Sequence, residues 1–171
     1  NIVYNINNAK KQANKEKLIY LVEGQFDVAA MTAHGYTNTV AISGTAFTNE
    51  QLRDILRAVG ENGNIVLLLD DDSAGQKAAY KIFREHSSIQ NKLYQINLIE
   101  GQDPCDYLQS HNTLPEKELF IEKAYLRIRN QFNYSSIEDK TNFITELQTN
   151  LTQYIKDKIL REQYLRRACS Y

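Results

Sequence analysis

Glu23 with Gly24 behind it, and Asp70-Asp71-Asp72 with Ser73-Ala74-Gly75 behind them, each stand directly after a short apolar run. Side chains along an extended chain alternate in direction, so Asp70 and Asp72 share one side while Asp71 faces the other. A third acidic group, Asp103 and Asp106, follows the apolar stretch Leu93–Leu98. Carboxylates gathered on one edge repel each other until a divalent cation joins them, and hard oxygen donors with few histidines nearby select Mg²⁺ or Mn²⁺ over zinc. Taken singly, a Glu-Gly after a strand is a turn, and an Asp run before Ser-Ala-Gly is a loop that caps a helix. Their joint placement argues for more. Every acidic cluster falls at the carboxyl end of an apolar run, while Lys17, Asn38, Asn64 and Lys92 hold the other ends.

That placement requires strands. Leu18–Val22, Thr39–Ile42, Ile65–Leu69 and Leu93–Leu98 have the length and apolar character of strands, and the third is so continuously apolar that both of its faces must be covered. Helices alternate with them. Leu52, Ile55, Leu56 and Val59 recur at helical spacing behind a capping box of Thr48 and Gln51, and Ala78, Ala79, Ile82 and Phe83 line one side of a helix after Ser73. Strand and helix in alternation predict a parallel sheet with helices on its faces, the α/β class in which ligands bind at the carboxyl edge. After Pro104 no further strand pattern is visible. Ile121, Ala124, Tyr125, Ile128 and Phe132 mark one helix, Ile144, Leu147, Leu151 and Ile155 a second after the turn Asn133–Ser136, and Leu160, Tyr164, Leu165 and Ala168 a third. The expected division is an α/β domain over 1–112 and a small helical bundle over 113–171.

Composition sets outer limits. The chain has 171 residues, 42% hydrophobic and 24% charged, enough for a real core and incompatible with disorder. Its longest uninterrupted aliphatic run, Ile65–Leu69, is far below the roughly 20 residues of a membrane span, and the N-terminus shows no signal segment, so the cytoplasm is the expected location with no membrane partner. Two cysteines, Cys105 and Cys169, and the scattered His34, His86 and His111 form neither a disulfide framework nor a zinc site. The histidines look like single surface or helix-end residues. A formal charge of −1 excludes a strongly basic nucleic-acid binder, so work on nucleic acid needs a local patch or a metal. The charge is uneven: eight Lys/Arg against five Asp/Glu from Tyr125 onward make that part +3 and leave −4 for the first 124 residues.

Four segments in order carry a resemblance. Leu21-Val22-Glu23-Gly24-Gln25-Phe26-Asp27-Val28, Ala41-Ile42-Ser43-Gly44-Thr45, Leu69-Asp70-Asp71-Asp72-Ser73-Ala74-Gly75 and Asp103-Pro104-Cys105-Asp106-Tyr107-Leu108 resemble the Toprim domain of bacterial DnaG-type primases, firmly over residues 16–108 and loosely beyond. Asn5-Ile6-Asn7-Asn8-Ala9-Lys10-Lys11 is similar to the helix that precedes the motif glutamate in those enzymes. The resemblance implies a Toprim fold followed by a small C-terminal helical bundle. It also implies that Glu23, Asp70 and Asp72 are catalytic and bind Mg²⁺ or Mn²⁺, two ions in all, with Asp27, Asp103 and Asp106 at further acidic positions. Two departures stand out. Cys105 occupies a place where the family often has a second aspartate, and Ser73 one where a basic residue is common.

By the same resemblance the activity is nucleotidyl transfer, the synthesis of RNA primers from ribonucleoside triphosphates on single-stranded DNA. Lys77, one turn into the helix after Asp72, and Thr45, after the second strand, are candidates to touch the nucleotide. Such primases also carry an N-terminal zinc ribbon and a basic subdomain that grips template, and work with the replicative helicase. The chain begins at Asn1 without methionine, so a catalytic-core fragment, inactive by itself and weak on single-stranded DNA, is expected. The same carboxylates suit a Toprim nuclease or a topoisomerase-like cleavage, and the domain could equally serve as a non-catalytic, metal-dependent nucleic-acid-binding module. Lys156, Lys158, Arg161, Arg166 and Arg167 read as a solvated helix face, with nucleic acid or the missing subdomain as the other possible contact.

Overall fold

The computed structural model describes residues 2–42, 47–60, 62–69, 73–98 and 102–170. A two-residue strand β1 (Val3–Tyr4) and helix α1 (Ile6–Glu16) lead into β2 (Leu18–Val22), α2 (Gln25–Ala33), β3 (Thr39–Ile42) and α3 (Asn49–Val59). Then come β4 (Asn64–Leu67), α4 (Ser73–Glu85), β5 (Leu93–Gln95), α5 (Pro104–Ser110) and β6 (Glu118–Leu119). The tail adds α6 (Phe120–Arg129), α7 (Ile137–Asn150) and α8 (Lys158–Ala168).

The sheet runs β1-β3-β2-β4-β5-β6. Its four inner strands are parallel, as the alternation of strands and helices demands, and the outer two are antiparallel. The most continuously apolar run takes an inner place: Ile65, Val66, Leu67 and Leu68 are fully buried, because β4 has strands on both sides and helices on both faces. One face packs Ile19, Leu21, Ile65 and Leu67 against Ala9 and Ala13 of α1, Ile55 and Val59 of α3, and Ile82 and Phe83 of α4. The other packs Val22, Ala41, Val66 and Leu68 against Val28 and Met31 of α2 and Tyr107 and Leu108 of α5. Each of the larger of these side chains contributes roughly 2 kcal/mol by leaving water.

Local signals set the helix starts. Thr48 and Gln51 make the anticipated capping box at α3, the Thr48 hydroxyl accepting from the Gln51 N–H at 3.3 Å and the Gln51 side chain from the Thr48 N–H at 2.9 Å. Ser136 and Asp157 cap α7 and α8 more simply, each side chain accepting backbone N–H groups of the first turn.

The tail departs from the expected all-helical pattern. β6 pairs antiparallel with β5, Tyr94 opposite Leu119 and Gln95 opposite Glu118. α7 stops at Asn150, so Leu151 and Ile155 are buried outside it, on either side of a short 3-10 turn. The tail shares its core with the sheet: Phe120 lies 5.1 Å from Phe83 and 5.3 Å from Tyr80, ring to ring, and Tyr125 is enclosed by Phe143 and Tyr164. Buried Gln90, just after α4, fastens the two parts. Its amide nitrogen donates to the carbonyls of Phe83 at 2.9 Å and Tyr154 at 2.8 Å, and its oxygen accepts from the Lys156 N–H at 3.2 Å.

Candidate active site at the carboxyl edge of the sheet

Glu23 stands one residue past the end of β2, between the ends of β3 and β4. Leu21 pairs with Leu67, and the Leu68 N–H continues the ladder to the Leu21 carbonyl at 2.9 Å, so two residues further on Glu23 is level with Leu69. The next residue in the chain is Asp70. Asp70 and Asp72 lie outside the described residues, as does Thr45; in sequence the aspartates join Leu69 to the start of α4, and Thr45 joins β3 to Phe47. Among the described residues no three of His, Cys, Asp and Glu gather into a metal-ligand group, so a metal site at this edge depends on Asp70 and Asp72 meeting Glu23.

The turn that presents Glu23 is held from below. Asp27 is buried, and its Oδ2 accepts the Gly24 N–H at 2.9 Å, reaching back from the third position of α2 to the residue that starts it. Glycine fits here because a Cβ at position 24 would press on that same oxygen at 3.3 Å. At least one oxygen of Asp27 therefore organises the loop. Glu23 itself is exposed and lines a cavity of ≈ 380 Å³ with Ile42, Phe47, Leu69, Ala78 and Lys81. The floor is apolar, and Lys81 is its cation.

Asp103 caps α5, its Oδ1 accepting the Asp106 N–H at 2.7 Å, with Pro104 at the first helical position. α5 packs on α2 through Tyr107 and Leu108, and both helices start at the carboxyl edge, so Asp103 and exposed Asp106 belong to that edge but on the α2 face. Cys105 is a free, half-exposed thiol beside them. Lys77 is exposed one turn into α4.

Other residues behave differently from expectation. His34 and His111 end α2 and α5, as helix-end residues, but His86 is buried, its ring edge-on to Phe47 at 5.1 Å. Burial holds its pKa below the usual histidine value of 6.5. Nothing in its sequence context signals this, since the apolar partner comes from a segment 39 positions away. Two of the five tail cations are engaged: Arg167 grips both oxygens of Glu122 at 2.7 and 2.9 Å and lies 4.5 Å over Tyr125, while Arg166 pairs with Glu162 at 2.8 Å. Lys81, one turn beyond Lys77 at i+4 spacing, is the cation that sequence reading passed over.

A parallel sheet with its acidic residues on the carboxyl edge and helices on both faces has a counterpart among known proteins. Residues 17–97 match the Toprim domain, which defines the class. Within that class the relatives it resembles are bacterial DnaG primases. The chain is 35% identical over 107 residues to the DNA primase of Streptomyces coelicolor, covering 61% of this chain and 17% of that protein. Against the DNA primase of Mycobacterium leprae it is 29% identical over 181 aligned positions, 99% of this chain and 28% of the relative. The RNA polymerase domain of Mycobacterium tuberculosis primase DnaG, solved with double-stranded DNA, superposes with a TM-score of 0.82 at 27% identity, covering 98% of this chain and 55% of that one. The chain thus spans less than a third of the curated primases it matches and just over half of the solved polymerase domain. Its architecture is similar to that of the solved primase polymerase domain.

Proposed function

We propose that this chain is the catalytic core of a DNA primase, in which the edge formed by Glu23, Asp70 and Asp72 carries out metal-dependent nucleotidyl transfer to make RNA primers on single-stranded DNA. The observation that carries the reading is the register of β2 against β4, which sets Glu23 level with the residue preceding Asp70 inside a fold shared with the DnaG polymerase domain. The donor set fits Mg²⁺ or Mn²⁺, being the carboxylate oxygens of Glu23, Asp70 and Asp72 with no histidine or cysteine among them. Two such ions, when bound, lower the pKa of the primer 3′-hydroxyl and offset the charge on the transferred phosphorus and the departing pyrophosphate.

The chain's own residues supply geometry. Asp70 and Asp72 serve as ligands, and Glu23 as a ligand or as the base that accepts the hydroxyl proton. Asp27 keeps the Gly24 turn, and hence Glu23, in place, with Asp103 and Asp106 as further acidic positions of the α2 side. Lys77 and Thr45 are the contacts assigned to the nucleotide. Ribonucleoside triphosphates as substrates, a zinc-bearing and template-gripping portion elsewhere in the protein, a replicative helicase partner and a cytoplasmic location complete this reading. Among the described residues no helix is long and apolar enough to cross a membrane.

Glu23→Gln in the full-length gene product tests it. Removing a metal ligand or base acts on the transition state and leaves the phosphate contacts to template intact, so primer synthesis from labelled ribonucleotides should fall at least a hundredfold while template affinity stays within about twofold. A variant that keeps more than a few per cent of the rate removes Glu23 from the chemistry.

A further inference from the structure

The outward face of α4 carries Ser73, Lys77, Tyr80, Lys81 and Arg84, spaced three or four residues apart and therefore on one side of the helix. They line a shallow groove of ≈ 540 Å³, whose one carboxylate, Glu85, lies at the end farthest from the acidic edge. From Ser73 to Arg84 the groove follows α4 for about 17 Å, the length of about five nucleotides at the 3.4 Å rise of a stacked strand. Lys81 lines both this groove and the cavity that Glu23 lines, so the two adjoin at its side chain.

The cations of this face lack acidic partners. Among the described residues Lys77, Lys81, Arg84 and Arg127 have no carboxylate within 4.0 Å, whereas Lys123, Arg166 and Arg167 in the tail do. Arg84 is committed to the tail instead, its guanidinium 4.7 Å over Tyr154 and donating to the Asn150 carbonyl at 3.4 Å. Arg127 of α6 lies 5.8 Å over the Tyr80 ring, which holds a further positive charge beside the groove. Cations left unpaired along one face set up a local positive potential that draws an anionic ligand, even on a protein whose net charge is −1.

We propose that the α4 groove is a track for the sugar-phosphate backbone of a nucleic-acid strand leading to or from the Glu23 edge, with Lys81 and, at the end where strand and nucleotide meet, Lys77 as its phosphate contacts and Arg127 as a flanking charge. This rests on the nucleotidyl-transfer reading of that edge and adds where the strand lies. It places binding on α4, beside the Glu23 cavity, and not on α8, two of whose four cations, Arg166 and Arg167, are held by glutamates of the chain itself.

The test is fluorescence anisotropy of the 171-residue chain with a short labelled single-stranded oligodeoxynucleotide, between about 50 and 200 mM salt. Each phosphate contact on a single strand contributes roughly 0.7 to the slope of log affinity against log salt. Lys77→Gln with Lys81→Gln should weaken binding about tenfold at physiological salt and make the slope shallower by about 1.4. Lys156→Gln, Lys158→Gln and Arg161→Gln together should change neither. An unchanged slope in the α4 variant, or its loss in the tail variant, overturns the proposal. Mn²⁺ titration of the same α4 variant separates the two readings. Unchanged metal binding with unchanged DNA binding refutes the track alone, and DNA binding that depends on Lys77 and Lys81 in a chain that takes up no metal refutes the catalytic reading alone.

Discussion

Histidine 86 shows what a single residue can hide. Its ring is enclosed between the end of α4 and Phe47, and its Nε2 is buried with no hydrogen-bond partner among the described residues. Because burial lowers its pKa in the folded state, the neutral form is favoured there, while the unfolded chain titrates near 6.5. Above that value both states are neutral and this group adds no pH dependence. As pH falls through 6.5 the unfolded state takes up a proton that the folded state refuses, so stability drops until the folded pKa is passed. Denaturation followed from pH 7.5 to pH 5 should show this loss, and His86→Phe, which keeps the ring, should flatten it. An equally steep loss in the variant would assign the acid sensitivity to other groups. The places of Glu23 after a strand and of Asp103 at a helix start were legible from sequence, because each follows from a local pattern of a few residues. His86 was not, because what surrounds it is decided by tertiary packing.

At the scale of elements, strong periodicity and capping were legible, and short pairing was not. The apolar runs of β2, β3, β4 and β5 and the Thr48–Gln51 box at α3 announce themselves within a few residues of chain. β1 and β6 are two residues each, too short to show alternation, and exist because the sheet edges at β3 and β5 offer unpaired backbone groups. The joint between sheet and tail was equally silent, since it runs through one buried amide. Gln90→Leu would strand two carbonyls and one N–H that the amide now satisfies, so it should lower stability by about 3 kcal/mol. Chemical denaturation measures this. A loss below about 1 kcal/mol would mean that apolar contacts such as Phe83 with Phe120 hold the tail without it.

For the molecule as a whole, the α/β class, the parallel order and the acidic carboxyl edge all followed from the alternation of strands and helices and from where the carboxylates fall. What sequence could not supply was the sharing of labour among those carboxylates, because it depends on geometry across strands: Asp27 turns inward to hold the Gly24 loop, Asp103 caps α5, and Glu23 stays exposed beside the residue that precedes Asp70. The proposed nucleotidyl transfer rests on one site, Glu23 with Asp70 and Asp72, as the place where a divalent cation would bind. Calorimetric titration of the chain with Mn²⁺ tests this most directly. Saturable binding in the wild-type chain that is lost both in Glu23→Gln and in Asp70→Asn with Asp72→Asn, with the helical signal of each variant unchanged, is the predicted result; an isotherm that survives both substitutions would place the metal elsewhere and contradict the account.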